Sequence, residues 1–456
     1  MHTNLLPSDT ICAISTAFGS AGLAVVRVSG SESITIVDSL FHGRHKLADT
    51  PTHRARYGTI EREGVLLDEV VCTLMRAPHS FTGEDTVEIA CHGSIFIQQE
   101  LLRWLVDCGA RVADKGEFTK RAFLNGRLDL AQAEGVADLI AAGSAAEKDI
   151  ALSQLRGGLS TRIHELREQL LTFTSLLELE LDFADHEELE FADRTQLTEL
   201  LQSATAMISE LVDSFRTGNA IKQGVQVAIV GAPNAGKSTL LNVLLGDERA
   251  IVSDIRGTTR DTIEDTITLR GVLVRLTDTA GIQTTADTIE QLGIERSLQV
   301  LRKAHIVIEL IDATDPQTVL DESMLAEQQV WLRVINKVDA GDSEIQGFKD
   351  SKIHDAICIS AKNKDIRALV SRLEEEVSRL TRYSDSVPVS NARHYEALCR
   401  AQEALERVRE GLQDNLSGEL IALDLHDALD ALGEITGQVS SQEVLNTIFE
   451  RFCIGK

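Results

Sequence analysis

The sequence predicts three parts: a small N-terminal α+β domain, an all-α domain made of two separated chain segments, and an α/β domain with a parallel sheet inserted between those segments. Three observations lead there. Short β-like runs dominate the first 120 residues; apolar residues recur at helical spacing from about Asp129 to Phe215 and again after Pro388; and between these helical stretches near-continuous apolar runs alternate with helices. The length of 456 residues agrees, being too great for one ordinary core. The expected boundaries are 1–120, 121–220, 221–380 and 381–456, the second and fourth segments forming one discontinuous helical domain.

In the first part, Thr10–Ile14, Leu23–Val28, Val70–Met75 and Thr86–Ala90 read as strands and Ile95–Cys108 as a helix. No proline lies between Pro78 and Pro233, which suits long helices such as the one carrying Leu166, Leu170, Leu171, Phe173, Leu176 and Leu177. From Val225 the runs Val227–Val230, Leu273–Leu276, Ile306–Ile311, Trp331–Ile335 and Ile357–Ile359 indicate a doubly wound parallel sheet. After Pro388 helical periodicity is expected to run to Lys456. Insertion of the α/β domain between helical segments is physically cheap where the insert's ends lie close together.

Composition narrows the function. A hydrophobic share of 43% suits packed interiors, whereas 4% aromatics argue against a surface that stacks single-stranded bases. A formal charge of −26 disfavours sequence-blind nucleic-acid binding, so any such contact needs a local basic patch or a partner. Seven scattered cysteines without a C-x-x-C pair suggest reduced thiols, and no apolar run approaches the roughly 18 residues of a membrane span. A soluble, cytoplasmic protein is expected. The acidic run Asp182 to Glu190 reads as a solvated helix end.

The motifs carry the chemistry. Gly231-Ala-Pro-Asn-Ala-Gly236-Lys237-Ser238 follows a strand and opens a helix, the setting in which backbone N–H groups cradle phosphates, Lys237 reaches the β and γ oxygens, and the Ser238 hydroxyl ligates Mg²⁺. Asp278-Thr279-Ala280-Gly281 ends another strand, placing Asp278 toward the Mg²⁺ water and the Gly281 N–H toward the γ-phosphate. Asn336-Lys337-Val-Asp339 ends a third. Asp339 can accept from guanine N1–H and N2–H₂, which adenine lacks; Lys337 would lie along the base, and the Ala361 N–H of Ser360-Ala361-Lys362 would meet O6. All four motifs sit at carboxyl ends of strands, where such sheets bind ligands. Gly257-Thr258-Thr259 supplies a candidate second Mg²⁺ ligand in Thr259. The full expected nucleotide contact set is Asn234, Ala235, Gly236, Lys237, Ser238, Thr239, Ser253, Asp254, Ile255, Arg256, Gly257, Thr258, Thr259, Asp278, Thr279, Ala280, Gly281, Asn336, Lys337, Asp339, Ser360, Ala361 and Lys362. GTP binding and hydrolysis is the implied activity. Ile282 replaces the Gln that orients water in signalling GTPases, so another polar group must do so. Asn234 reads equally as an Asx-turn residue or as a ligand to a monovalent cation beside the phosphates.

These motifs, with Arg27-Val-Ser-Gly30, Ser80-Phe-Thr-Gly-Glu-Asp85, Gly116-Glu-Phe118, Arg121-Ala-Phe-Leu-Asn125, Leu128-Asp-Leu-Ala-Gln-Ala-Glu134, Glu434-Ile-Thr-Gly437 and the terminal Cys453-Ile-Gly-Lys456, make the chain resemble the tRNA modification GTPase MnmE (TrmE) family along nearly its whole length. The resemblance implies a homodimer with K⁺-dependent pairing of GTPase domains, K⁺ ligands Asn234, Ser253, Ile255 and Thr258, and Mg²⁺ ligands Ser238 and Thr259. It implies that Glu290 orients the water; read alone, Glu290 is one more solvated carboxylate. It further implies a folate-binding-like N-terminal domain that dimerises and holds 5-formyl- or methylene-tetrahydrofolate through Arg27, Glu84, Arg127 and Lys456, residues that otherwise read as surface ion pairs. At Arg127 the family carries lysine. Cys453 would be a nucleophile toward uridine C6; most free cysteines simply pack. The implied activity is installation of a carboxymethylaminomethyl-type group at C5 of wobble uridine U34 of certain tRNAs, together with an MnmG (GidA)-type FAD protein. The competing class is a switch GTPase of ribosome assembly, which would need an appended basic RNA-binding module; none is visible.

Overall fold

In the computed structural model of the chain, residues 9–182, 194–246, 265–278, 299–315, 325–326, 328–340, 356–383, 388–414, 416–450 and 452–456 are described. The chain divides into two compact units, one of Met1–Ala137, Gln154–Glu168 and Leu429–Lys456, the other of Asp138–Ser153 and Gln169–Ala428.

The first unit is built on strands β1 (Ile11–Ile14), β2 (Ala21–Ser29), β3 (Phe41–Gly43), β4 (Arg54–Arg62), β5 (Val65–Met75), β6 (Thr86–Gly93) and β7 (Arg111–Val112), in the order β3-β4-β5-β6-β2-β1-β7. Only β1 and β7 pair in parallel among these neighbours. Alternation along β2, β5 and β6 puts Val26, Val28, Val70, Cys72, Leu74, Val87 and Ile89 on one buried face, packed with residues of helices α1 (Ser33–Leu40) and α2 (Ile95–Asp107). Periodicity did not signal α1, whose Ile34-Thr-Ile-Val37 core favours strand by its β-branching, nor β4, where Gly58 and Ile60 alone are buried.

Helices α3 (Glu117–Leu124), α4 (Leu130–Ala141), α5 (Ala145–Leu155), α6 (Gly158–Asp182) and α7 (Arg194–Gln223) fill the stretch that lacks proline. The second unit carries strands β8 (Val225–Gly231), β9 (Asp265–Leu269), β10 (Val272–Asp278), β11 (Ile306–Asp312), β12 (Val330–Asn336) and β13 (Ile357–Cys358), with α8 (Lys237–Leu245) and α9 (Arg367–Leu380) around them. Their order is β13-β12-β11-β8-β10-β9. The sheet is not wholly parallel as expected: β9 runs antiparallel to β10 at the edge, through a two-residue turn in which Arg270 (φ 49°) and Gly271 (φ 79°) are both left-handed. Its five residues alternate, burying Ile267 and Leu269, but the run is too short to stand out as a strand in the sequence.

Helices α10 (Ala392–Gln413), α11 (Gly418–Thr436) and α12 (Gln442–Phe449) follow. Within the second unit α10 packs on α7, with Phe215 and Tyr395 stacked 4.3 Å apart. Within the first, α12 shares a core with Leu130, Ala133 and Phe123. Helix does not continue to Lys456. Beyond Phe449 the chain turns, Ile454 bridges to Lys115, and Gly455 (φ 97°) lies so close to β1 that a Cβ would stand 2.2 Å from the Ile14 carbonyl oxygen. Among the described residues no helix is long and apolar enough to cross a membrane.

One ion network centred on a buried arginine knits the first unit. Arg121, 1% exposed, donates to the Asp9 carbonyl (2.8 Å), Asp9 Oδ1 (2.8 Å), Glu117 Oε1 (3.0 Å) and Glu84 Oε1 (3.2 Å), and Arg111 adds a 2.6 Å bond to Glu117. Burial opposes the Glu117 charge, but the Arg111 guanidinium, the Asp114 N–H and Arg121 more than offset it, so its pKa lies below the usual range. Stabilisation from its charge is therefore present above the ordinary glutamate pKa of about 4.3 and lost as pH falls through the lower folded value. Replacing Arg121→Met should cost about 1.5–3 kcal/mol in urea unfolding at pH 7, because Glu84 and Glu117 lose a buried charged donor while keeping Ser29 and Arg111. That cost should shrink as acid protonates Glu117; a pH-independent cost would contradict the network.

Candidate functional site

Strand β8 is buried along nearly its whole length and delivers the chain to a loop that only small residues permit. At Gly231 a Cβ would meet the Leu310 carbonyl oxygen of β11 at 2.4 Å, and at Gly236 (φ 99°) it would meet Asn336 Nδ2 at 2.4 Å. Helix α8 then starts at Lys237, so its unpaired N-terminal N–H groups border the loop. Lys237 folds back, donating to the carbonyls of Gly231 (2.8 Å) and Ala232 (3.0 Å). Burial pushes its pKa down, with Asp278 pulling the other way. Ser238 Oγ donates to Asp278 Oδ2 at 3.2 Å, while Asp278 Oδ1 is buried with no hydrogen-bond partner among the described residues. A hydroxyl, a carboxylate with a buried open oxygen and a lysine thus converge at the mouth of an anion-binding loop. Asn234 sits at φ 63° with its side chain exposed and makes no side-chain hydrogen bond among the described residues, so the Asx-turn reading has no bond to support it.

Asn336 joins this loop to a second one. Its amide is 2% exposed; Nδ2 donates to the Ala235 carbonyl (2.9 Å) and Oδ1 accepts from the Ala361 N–H (3.0 Å). The Ala361 N–H, expected to face guanine O6, is thereby engaged inside the protein: a buried amide oxygen needs a donor, and this one is nearest. Ser360 Oγ donates to Asp339 Oδ1 at 2.6 Å, and this bond is the main cause holding the exposed Asp339 carboxylate below its usual pKa. Lys337 (φ 65°) places its ammonium 2.5 Å from Asp312 Oδ2 rather than leaving it free. Burial works against the Asp312 charge, and bonds from Lys337 and from the Thr314 N–H and hydroxyl outweigh it. Thr239, Ala361 and Lys362 border an open cavity of about 560 Å³ between α8 and α9. Ser253, Asp254, Ile255, Arg256, Gly257, Thr258, Thr259, Thr279, Ala280, Gly281, Ile282 and Glu290 lie outside the described residues.

In the first unit, Arg27 Nε and Nη2 bond Glu88 Oε1 (2.9 and 2.8 Å), and its guanidinium lies over Phe118 (5.5 Å) and Phe81 (5.8 Å). Glu84 accepts from Ser29 (2.8 Å) and Arg121. Arg127 is exposed, and its stem covers Gly83, beside Glu84. The terminal tail is clamped by the Ser15 hydroxyl on the Gly455 carbonyl (3.2 Å), against the β1 end that pairs with the Arg27 segment of β2. Lys456 is half-buried there and the Cys453 thiol is exposed.

Two family models match the chain: one described as GTP-binding protein TrmE N-terminus over residues 10–127, and one described as MnmE helical domain over residues 130–453. Curated proteins named tRNA modification GTPase MnmE match it end to end. That of Parabacteroides distasonis is 51% identical over 98% of this chain and 100% of its own length. Those of Flavobacterium johnsoniae (46%; 99% and 100%) and Bacteroides fragilis (47%; 98% and 99%) are similar. The chain belongs to the MnmE family.

Within this family frame, the sequence had left out several residues that the structure brings to the sites. Asp312 ends β11 just as Asn336 ends β12, and its strand-end position was the available signal. Glu117 and Arg121 lay within quoted motifs, but their pairing with Asp9, Arg111 and Glu84 had no signal, because Asp9 and Arg121 are far apart in sequence. Asn336→Ala would leave the Ala235 carbonyl and the Ala361 N–H unpaired, at about 1–3 kcal/mol each. Titration with a fluorescent GDP should show affinity falling more than about tenfold, which equals 1.4 kcal/mol. Unchanged affinity would mean that the two loops hold their places without the tie.

Proposed function

We propose that the chain is a GTP-hydrolysing tRNA modification enzyme. The observation that supports this most is the Asn336 bridge, because it sets a phosphate-binding loop and a guanine-reading loop on one frame. Asp339, kept ionised by Ser360, accepts from guanine N1–H and N2–H₂; the Lys362 N–H is the remaining donor toward O6. Lys237 exchanges two backbone carbonyls for phosphate oxygens, a better match for an ammonium. Mg²⁺ fits this site: Ser238 and Thr259 would hold it, with Asp278, whose Oδ2 faces the Ser238 hydroxyl, beside it, and the ion would neutralise charge on the β and γ oxygens. Asn234, with no side-chain hydrogen bond among the described residues, fits a K⁺ ligand, with Ser253, Ile255 and Thr258 completing the set, and Glu290 orients the attacking water.

The modification chemistry belongs to the first unit. Glu84 is anchored by Arg121 and Ser29 yet remains partly exposed, so it can pair with the aminopyrimidine edge of a pterin, flanked by Arg27, Arg127 and Lys456. A bound tetrahydrofolate supplies the one-carbon unit. The enzyme works as a homodimer in the cytoplasm with an MnmG-type FAD protein, placing a carboxymethylaminomethyl-type group on C5 of U34, with Cys453 as the candidate nucleophile. Nucleoside mass spectrometry of tRNA from a deletion strain should show U34 without that group; normal U34 with defective ribosomal subunits would favour the assembly-switch class instead. For hydrolysis, K⁺ should raise turnover well above the rate in Na⁺, and Asn234→Ala should lose that response. Equal rates in both salts would remove Asn234 from the cation site.

A further inference from the structure

The β9–β10 hairpin touches a helix that the nucleotide chemistry does not use. Helix α5 opens with a capping box: Ser144 Oγ accepts from the Glu147 N–H (3.2 Å) and donates to Glu147 Oε1 (2.9 Å), while Glu147 Oε2 accepts from the Gly143 N–H (2.8 Å). Of the first-turn donors outside this box, the Ala146 N–H bonds the Gly271 carbonyl at the tip of the hairpin at 3.0 Å. The tip lies in contact range: a Cβ on Gly271 would stand 3.4 Å from Ala145 Cβ, and Ala146 packs against the core of the α/β domain. From that tip β10 runs seven residues, about 20 Å, to Asp278, whose carboxylate faces Ser238. Around the contact sit an Asp138–Lys222 ion pair (2.6 Å) and a bond from Arg275 Nε to the Gln223 carbonyl (2.6 Å). Beneath it lies a cavity of about 230 Å³ lined by Ile150, Ala151, Ile221 and Leu273. The joint is therefore firmly bonded at its tip but not packed solid behind, which gives α5 room to shift.

We propose that the Gly271 turn and the first turn of α5 form a joint through which segment 138–153 responds to the nucleotide bound at the Asp278 end of β10. It rests on the chain binding guanine nucleotides. Among the described residues β9 is an edge strand, so the hairpin is held to the sheet through one neighbouring strand, β8, and can shift with the Asp278 end of β10. Linkage then demands the reverse effect: whatever fixes the joint must change the relative affinities of the two nucleotide states by the same factor.

The Cβ positions of Ala145 and Gly271 lie close enough to be crosslinked, although a side chain at the left-handed Gly271 (φ 79°) is strained, so the test uses the full chain carrying Ala145→Cys and Gly271→Cys, oxidised and reduced, with the reduced variant as the control for that strain and the oxidised parent as the control for oxidation. The ratio of GDP affinity to that for a non-hydrolysable GTP analogue should differ by about fivefold or more between oxidised and reduced variant. Hydrogen exchange of the 143–152 backbone should differ between the two nucleotides in the parent and become equal in the stapled protein. A second variant, Ala146→Pro, removes the donor at a first-turn position that tolerates proline; it should retain nucleotide binding and lose the exchange difference. An unchanged affinity ratio on stapling, or an exchange difference that survives Ala146→Pro, would overturn the joint while leaving the GTPase reading intact. Failure of the parent to bind either nucleotide would overturn both.

Discussion

The nucleotide site depends on the side-chain amide of Asn336. It projects from the carboxyl end of a buried strand, and its two polar atoms satisfy one backbone carbonyl and one backbone N–H from loops that are remote in sequence. Both partners are buried, so neither can turn to water, and breaking either bond leaves a desolvated group unpaired. Around that tie the rest falls into place. Gly236 must lack a Cβ because Asn336 Nδ2 lies against it, and Ser360 can reach Asp339 because Ala361 is pinned.

Much of this was legible in the sequence, for a physical reason. Loops at strand ends that approach phosphate need glycine, and a base-reading carboxylate needs a fixed place after an apolar run, so Gly231 to Ser238, Asp278, Asn336 to Asp339 and Ser360 to Lys362 announce themselves locally. The long helices were legible from periodicity over a stretch without proline. What could not be read was made by residues distant in the chain. Asp312 takes the Lys337 ammonium, and Arg121 gathers carboxylates from Asp9, Glu84 and Glu117. The engagement of the Ala361 N–H by Asn336 was missed for the same reason: a motif specifies residue types, while hydrogen-bond partners are assigned by the fold.

Elements with weak internal pattern were also lost to sequence reading. β4 buries too little to show alternation, α1 is dense in β-branched residues, and the antiparallel β9 alternates over only five residues. The terminal residues read as helix because Leu445, Ile448, Phe449 and Phe452 keep helical spacing, yet Gly455 in a left-handed conformation lets the tail lie against β1. In the first unit the tail, the Arg27 row and the Glu84 loop are thus supported by one sheet and one buried arginine, whatever ligand they hold.

The central claim is that the Asn336-tied loops read guanine. Calorimetric titration of the full chain with GDP, IDP and ADP tests it most directly, since inosine keeps N1–H and O6 but lacks the N2 amino group. GDP should bind tighter than IDP by about tenfold or more, because a hydrogen bond to a charged carboxylate contributes about 1.5–3 kcal/mol, and ADP should be weaker still. Equal affinity for GDP and ADP would contradict it.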